Sequence, residues 1–193
     1  ILAIALGAAL FHLYGAGLSP FTAFVQRPVH FALMAVLGML GLGIQQRLRA
    51  KPSGGPVKGD DGNEEAGGGL RRIDIAVRGL LVVAAIFCCS YLVLEHEELV
   101  SRAGTPTTLD LVAGAIAVLV VLELTRRSNG WALVVVALLA LGYALAGPYL
   151  PGLLAHRGYS PIRLIEHLYL STEGIWGVPL GVSADFVYLF VLF

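Results

Sequence analysis

Five stretches of this chain are apolar on every face: Ile1 to about Leu18, Pro28 to about Gln46, Ile75 to Leu94, Leu109 to Thr125, and Trp131 to Ala146. A helix needs ~20 mostly apolar residues to cross a bilayer, and these runs predict membrane-spanning helices. The first is short, and the chain opens on Ile1 and stops at Phe193 within an apolar run, so a piece of a longer protein is expected. Ser19-Pro20 and Gln26-Arg27-Pro28 separate the first two runs, because Pro turns its predecessor away from helix. Thr107-Thr-Leu-Asp110 carries a helix-start pattern ahead of the fourth run, and Asn129-Gly130 turns the chain before the fifth.

Two stretches break this rhythm. Arg47 to Asp74 mixes Gly, Pro and Ser with basic residues and the acidic patch Asp60, Asp61, Glu64, Glu65. It has too little apolar surface to order itself and is predicted to be a disordered linker. Glu95 to Asp110 reads as an acidic polar loop. Further on, Ser160-Pro161 predicts an N-cap with Pro at the first helical position. Ile162, Ile165, Leu168 and Tyr169 then recur at helical spacing opposite Arg163, Glu166 and His167, which predicts an interfacial amphipathic helix. The expected fold is all-α and polytopic: about five spans, that amphipathic helix, and the start of a sixth span. The expected units are a first hairpin (1–46), the linker (47–74), a second hairpin completing a small four-helix domain (75–127), and the start of a larger domain (128–193).

Composition agrees with a bilayer setting. The chain is 57% hydrophobic and 13% charged, with a mean hydropathy of +0.80. A soluble domain carries about 25% charged residues. The net charge of +0 gives no reason to expect nucleic acid as a partner. Orientation follows from where the basic residues sit. Arg47, Arg49, Lys51, Lys58, Arg71, Arg72, Arg126 and Arg127 fall on one set of loops, and Arg27, Arg102, Arg157 and Arg163 on the other. The first set is expected to be cytoplasmic, which leaves the amphipathic helix outside.

Candidate chemistry is sparse. Gly174, Gly177, Pro179 and Gly181 interrupt an otherwise apolar final stretch. Each Gly costs ~1 kcal/mol of helix propensity and Pro ~3, so a plain anchor has no use for them. Broken backbone at membrane depth needs shelter from lipid, and such segments point to solute pathways. A pathway or hinge is therefore expected at Gly174, Gly177, Pro179, Gly181, Ser183 and Asp185. Asp185 is open to two readings, a first-turn carboxylate favoured by the helix dipole or the lining of an ion or substrate path. Glu123 is expected to pair structurally with Arg126 or Arg127, at i,i+3 and i,i+4. His12 and His30 lack a carboxylate at helical spacing and are expected to be packing or interfacial residues. Cys88 and Cys89 read as buried small apolar groups. No catalytic arrangement, metal motif or phosphate loop stands out, so neither an enzyme nor a bound cofactor is expected.

Four segments together carry a family resemblance. They are Arg102-Ala-Gly-Thr-Pro-Thr-Thr-Leu-Asp110; Glu123-Leu-Thr-Arg-Arg127 with Gly130-Trp131; Gly147-Pro-Tyr-Leu-Pro-Gly-Leu-Leu-Ala-His-Arg-Gly-Tyr159; and His167-Leu-Tyr-Leu-Ser-Thr-Glu-Gly-Ile-Trp-Gly-Val-Pro-Leu-Gly-Val-Ser183. They resemble the fused permeases of TRAP transporters of the TAXI type. The resemblance implies a bacterial inner-membrane permease that takes up organic anions by cation symport, usually with sodium. It also implies a periplasmic substrate-binding protein as partner, alongside membrane lipid. This chain would be the small domain and the first part of the large one, with most substrate and ion ligands beyond Phe193. One departure is Asp185, where the family is expected to carry an uncharged residue. The rival expectation is a membrane scaffold that holds a partner permease without transporting.

Overall fold

The apolar runs fold as helices in a computed structural model that describes residues 2–18, 20–49, 64–102 and 104–192. The long helices are α1 (Leu2–Gly17), α2 (Ala23–Arg49), α3 (Glu64–Ser101), α4 (Thr108–Asn129) and α5 (Trp131–Ala146). Two short 3₁₀ turns lead to α6 (Pro161–Tyr169). After it come α7 (Val178–Val182), a π-helical turn (Ser183–Val187) and α8 (Tyr188–Leu192). Among the described residues there is no strand.

Four helices are long and apolar enough to cross a membrane, over Ala23–Gly41, Arg72–Ser101, Thr108–Asn129 and Trp131–Tyr149. The chain is thus an all-helical, multi-pass membrane protein. Leu2–Gly17, expected as a further span, is a shorter apolar helix of 16 residues, and the Val178–Val191 stretch is likewise short of a span.

Three boundaries differ from the sequence expectation. α2 starts at Ala23, so Pro28 lies inside the helix rather than at its start. Thr22 receives the N–H groups of Val25 and Gln26, both at 2.9 Å, and this first turn carries the helix past the proline. α3 is helical over 64–74, part of the expected linker, while residues 50–63 of that linker lie outside the described residues. α3 also continues through Glu95 to Ser101, which were expected in a loop. There Glu98 faces Arg102 one turn on, at 3.6 Å, and Glu95 reaches the same guanidinium at 3.6 Å. The 30-residue span of α3 rises about 45 Å, longer than the ~30 Å hydrocarbon layer, so its acidic end extends toward water.

Each of the helices α1 to α4 packs on the next, and α4 also packs against α5 and α6. Where α3 and α4 meet, the buried cluster includes the small residues Cys88, Cys89, Ala113 and Ala117, which let the backbones approach closely. The Cys88 thiol donates to the Ala113 carbonyl at 3.3 Å, so both cysteines serve as buried small groups.

Gly114 gives α6 its seat on α4. A Cβ there would lie 2.4 Å from Cγ2 of Ile165 and 3.1 Å from Cβ of Tyr169. Ile165 and Tyr169 thus pack into protein, and Tyr169 is fully buried with its hydroxyl donating to the Cys88 carbonyl at 2.6 Å. Burial raises that hydroxyl well above the usual tyrosine range and keeps it a neutral donor. The Trp176 indole N–H donates to the Tyr169 carbonyl at 2.7 Å, closing the turn after α6. α7 and α8 then return to α2 and α1, so the last segment lies against the first hairpin.

The start of α4 carries the predicted cap. Thr107 Oγ1 accepts from the Asp110 N–H at 3.3 Å, and Asp110 accepts from the Thr107 N–H at 2.7 Å. Asp110 is fully buried and also accepts from the Tyr91 hydroxyl. Thr107→Ala removes one cap acceptor and leaves the carboxylate in place. We expect a loss of about 1 kcal/mol, read as a lower unfolding midpoint of the detergent-solubilised protein.

Candidate functional site

The interrupted segment meets the first hairpin through polar side chains. Gln26, Arg27 and His30 fall on one turn of α2. His12 comes from α1, and Ser183, Asp185 and Tyr188 from the π turn and α8. The Tyr188 N–H donates to the Ser183 carbonyl five residues back, the wide turn that tends to occur at functional sites. Ser183 meets His30 there, and Tyr188 meets both histidines.

His12 and His30 are each only 2% exposed. Their rings are joined by a 2.8 Å contact between His12 Nε2 and His30 Nδ1. His12 Nδ1 lies 2.7 Å from the Ala8 carbonyl, and His30 Nε2 lies 3.2 Å from Ser183 Oγ. Tyr188 covers both rings, with centroids 4.1 Å from His12 and 5.9 Å from His30. Beside them the Gln26 amide donates to Asp185 Oδ1, and Arg27 donates to the Trp176 carbonyl. The Arg27 guanidinium also lies against Gly181, where a Cβ would stand 2.9 Å from two of its nitrogens.

Of the residues expected to form a pathway or hinge, Ser183 and Asp185 are therefore brought together with α1 and α2. Gly181 admits Arg27. Gly174 and Gly177 sit in the turn after α6, and Pro179 opens α7. His12 and His30, expected as packing residues, are hydrogen-bonded members of the cluster. Gln26, Arg27 and Tyr188 carried no sequence signal beyond polarity next to an apolar run.

At the other end of α4 the expected ion pair forms and is larger than expected. Glu123 accepts from Arg126 through two bonds of 2.6 Å and from Arg127 Nε at 2.7 Å. Asp74 joins it, at 2.8 Å from Arg127 and 2.8 Å from Arg78. Arg126 also lies over the Trp131 ring, 5.4 Å from its centroid. The network ties α3 to α4.

A cavity of about 610 Å³ opens between the α3–α4 connection and α6, lined in part by Arg102, Asp110, Tyr159, Arg163, Glu166 and His167. Its two arginines are matched by Asp110 and Glu166, at 3.4 and 3.6 Å, so its walls carry no surplus positive charge. Among the described residues, no group of three or more His, Cys, Asp or Glu side chains is placed to hold a metal ion. No family model, curated protein or solved structure matches the chain.

Proposed function

We propose that this chain is the N-terminal portion of a TRAP-type permease of the TAXI kind. In this reading it serves ATP-independent uptake of organic anions, dicarboxylates or amino-acid-like acids, across a bacterial inner membrane. A periplasmic substrate-binding protein delivers the anion, and a cation gradient, sodium by resemblance, drives the step. No reaction chemistry is assigned to it.

The observation that carries this reading is the segment from Gly174 to Asp185. It is apolar yet broken, it contains a π turn, and it turns Ser183 and Asp185 toward protein instead of lipid. Irregular backbone at membrane depth belongs where protein or a water-filled cavity surrounds it. The motifs between Arg102 and Ser183 support the same family.

The test uses the full-length permease in proteoliposomes with its binding protein. Saturable uptake of a labelled dicarboxylate or amino acid that needs both proteins and an inward sodium gradient is the expected result. Membrane insertion without uptake of any tested acid, under any cation gradient, would favour the scaffold reading. Residues 1–193 alone are expected to transport nothing, because a midplane site forms between repeats.

A further inference from the structure

A groove of about 490 Å³ runs along the outside of the bundle where α3, α4 and α5 meet. Its floor holds the buried Val120 and Val134, while Leu80, Leu119 and Leu138 on its rims are exposed. The polar groups collect at one end, where Glu123, Arg126 and Trp131 line the mouth. Arg126 and Trp131 stand at the facing ends of α4 and α5, so the mouth lies where both spans leave the bilayer. On α4 the lining runs from Arg126 inward to Ile116, a rise of about 15 Å. That is half of the ~30 Å hydrocarbon layer, the depth of one leaflet.

We infer that this groove is a binding site for an anionic phospholipid, with one acyl chain lying between α3, α4 and α5 and the headgroup phosphate on Arg126. Charge carries the selection. Arg78, Arg126 and Arg127 share two carboxylates, Asp74 and Glu123, so the network holds one positive charge in surplus. Glu123 binds Arg126 through Nε and Nη2, which fixes the guanidinium at the mouth and leaves Nη1 for an incoming oxygen. A guanidinium suits phosphate in both charge and geometry. The Trp131 ring lies 5.4 Å from that guanidinium, and an exposed indole belongs at headgroup level.

A zwitterionic lipid also brings a phosphate, but its own ammonium offsets the attraction to a site with surplus positive charge. Phosphatidylglycerol has no such offset. The chain and the headgroup act together: the groove holds the acyl chain against α4, and the chain sets the phosphate at the height of Arg126. This inference rests on the membrane-spanning helices and on the groove between them, so it stands or falls independently of the transport reading.

The test is tryptophan quenching with the full chain in phosphatidylcholine vesicles. A minor share of the lipid carries bromine on its acyl chains, as phosphatidylglycerol in one series and as phosphatidylcholine in the other. The chain has two tryptophans, so Trp131→Phe, which keeps Trp176, supplies the background that isolates Trp131. Brominated phosphatidylglycerol is expected to quench Trp131 with about fivefold higher apparent affinity, the selectivity of one arginine at a membrane surface. Arg126→Gln should bring the two series together, and Glu123 keeps Arg127 in that variant. Ala84→Phe fills the groove from its α3 wall and should weaken quenching by phosphatidylglycerol with Arg126 in place. Arg72→Gln removes an exposed arginine of α3 outside the groove and should leave the difference intact. Equal quenching by both lipids in the parent would mean annular lipid only and overturn the inference. So would a preference that survives Arg126→Gln, one that ignores Ala84→Phe, or one lost equally in Arg72→Gln.

Discussion

Replacing Trp176 by alanine is expected to lower stability by about 3–5 kcal/mol, the range for emptying a buried tryptophan site. Trp176 is 1% exposed and sits where α2, α3, α4 and the turn after α6 converge. Its ring meets Phe31 edge-on at 5.9 Å and lies 6.0 Å from Tyr169. Within a bilayer, leaving lipid for protein gains little hydrophobic energy, so the loss falls on dispersion contacts and on the orphaned Tyr169 carbonyl. Trp131 is the internal control, because it is 63% exposed and touches protein mainly through Arg126. Trp131→Ala should cost less than about 1 kcal/mol. Unfolding in detergent, followed by near-ultraviolet circular dichroism, separates the two. Equal effects would mean that the Trp176 site is not the keystone of this packing.

Separation along the chain marks how far the sequence could be read. The cap of α4 and the Glu123 pairing both depend on partners within four residues, and spacing alone predicted each. Asp74 joins Glu123's network from 53 residues away, and nothing in its neighbourhood announces this. The histidines were harder still. His12 finds His30 18 residues on, and His30 finds Ser183 153 residues on. A search for carboxylates at helical spacing could not reach either bond. The start of α6 was written in Ser160-Pro161, but its destination was not, since that depends on the absence of a side chain at Gly114. Helix ends failed for a related reason. Polar residues of α3 that look like loop are held in helix by charges one or two turns away.

The interrupted segment separates two roles for its glycines. At Gly174 a Cβ would stand 2.4 Å from the Leu168 Cα and 2.4 Å from the Leu168 carbonyl oxygen. Both belong to the backbone of α6, whose Leu168 carbonyl also receives the Ile175 N–H at 2.8 Å. Neither can move without unseating Tyr169 and Trp176. At Gly181 the obstacle is the Arg27 guanidinium, the far end of a flexible side chain. Gly174→Ala is therefore expected to cost about 3 kcal/mol, the upper end for overpacking, and to loosen the turn between α6 and α7. Gly181→Ala should leave stability within about 1 kcal/mol, because Arg27 can swing aside and alanine favours helix. Its effect should appear in motion instead, since Arg27 then loses the Trp176 carbonyl and one tie between segment and hairpin is gone. With nitroxide labels on Leu10→Cys in α1 and Val191→Cys in α8, both exposed positions on helices that touch, Gly181→Ala should broaden the distance distribution while the unfolding midpoint barely moves. A large drop in that midpoint would assign Gly181 to packing, as at Gly174.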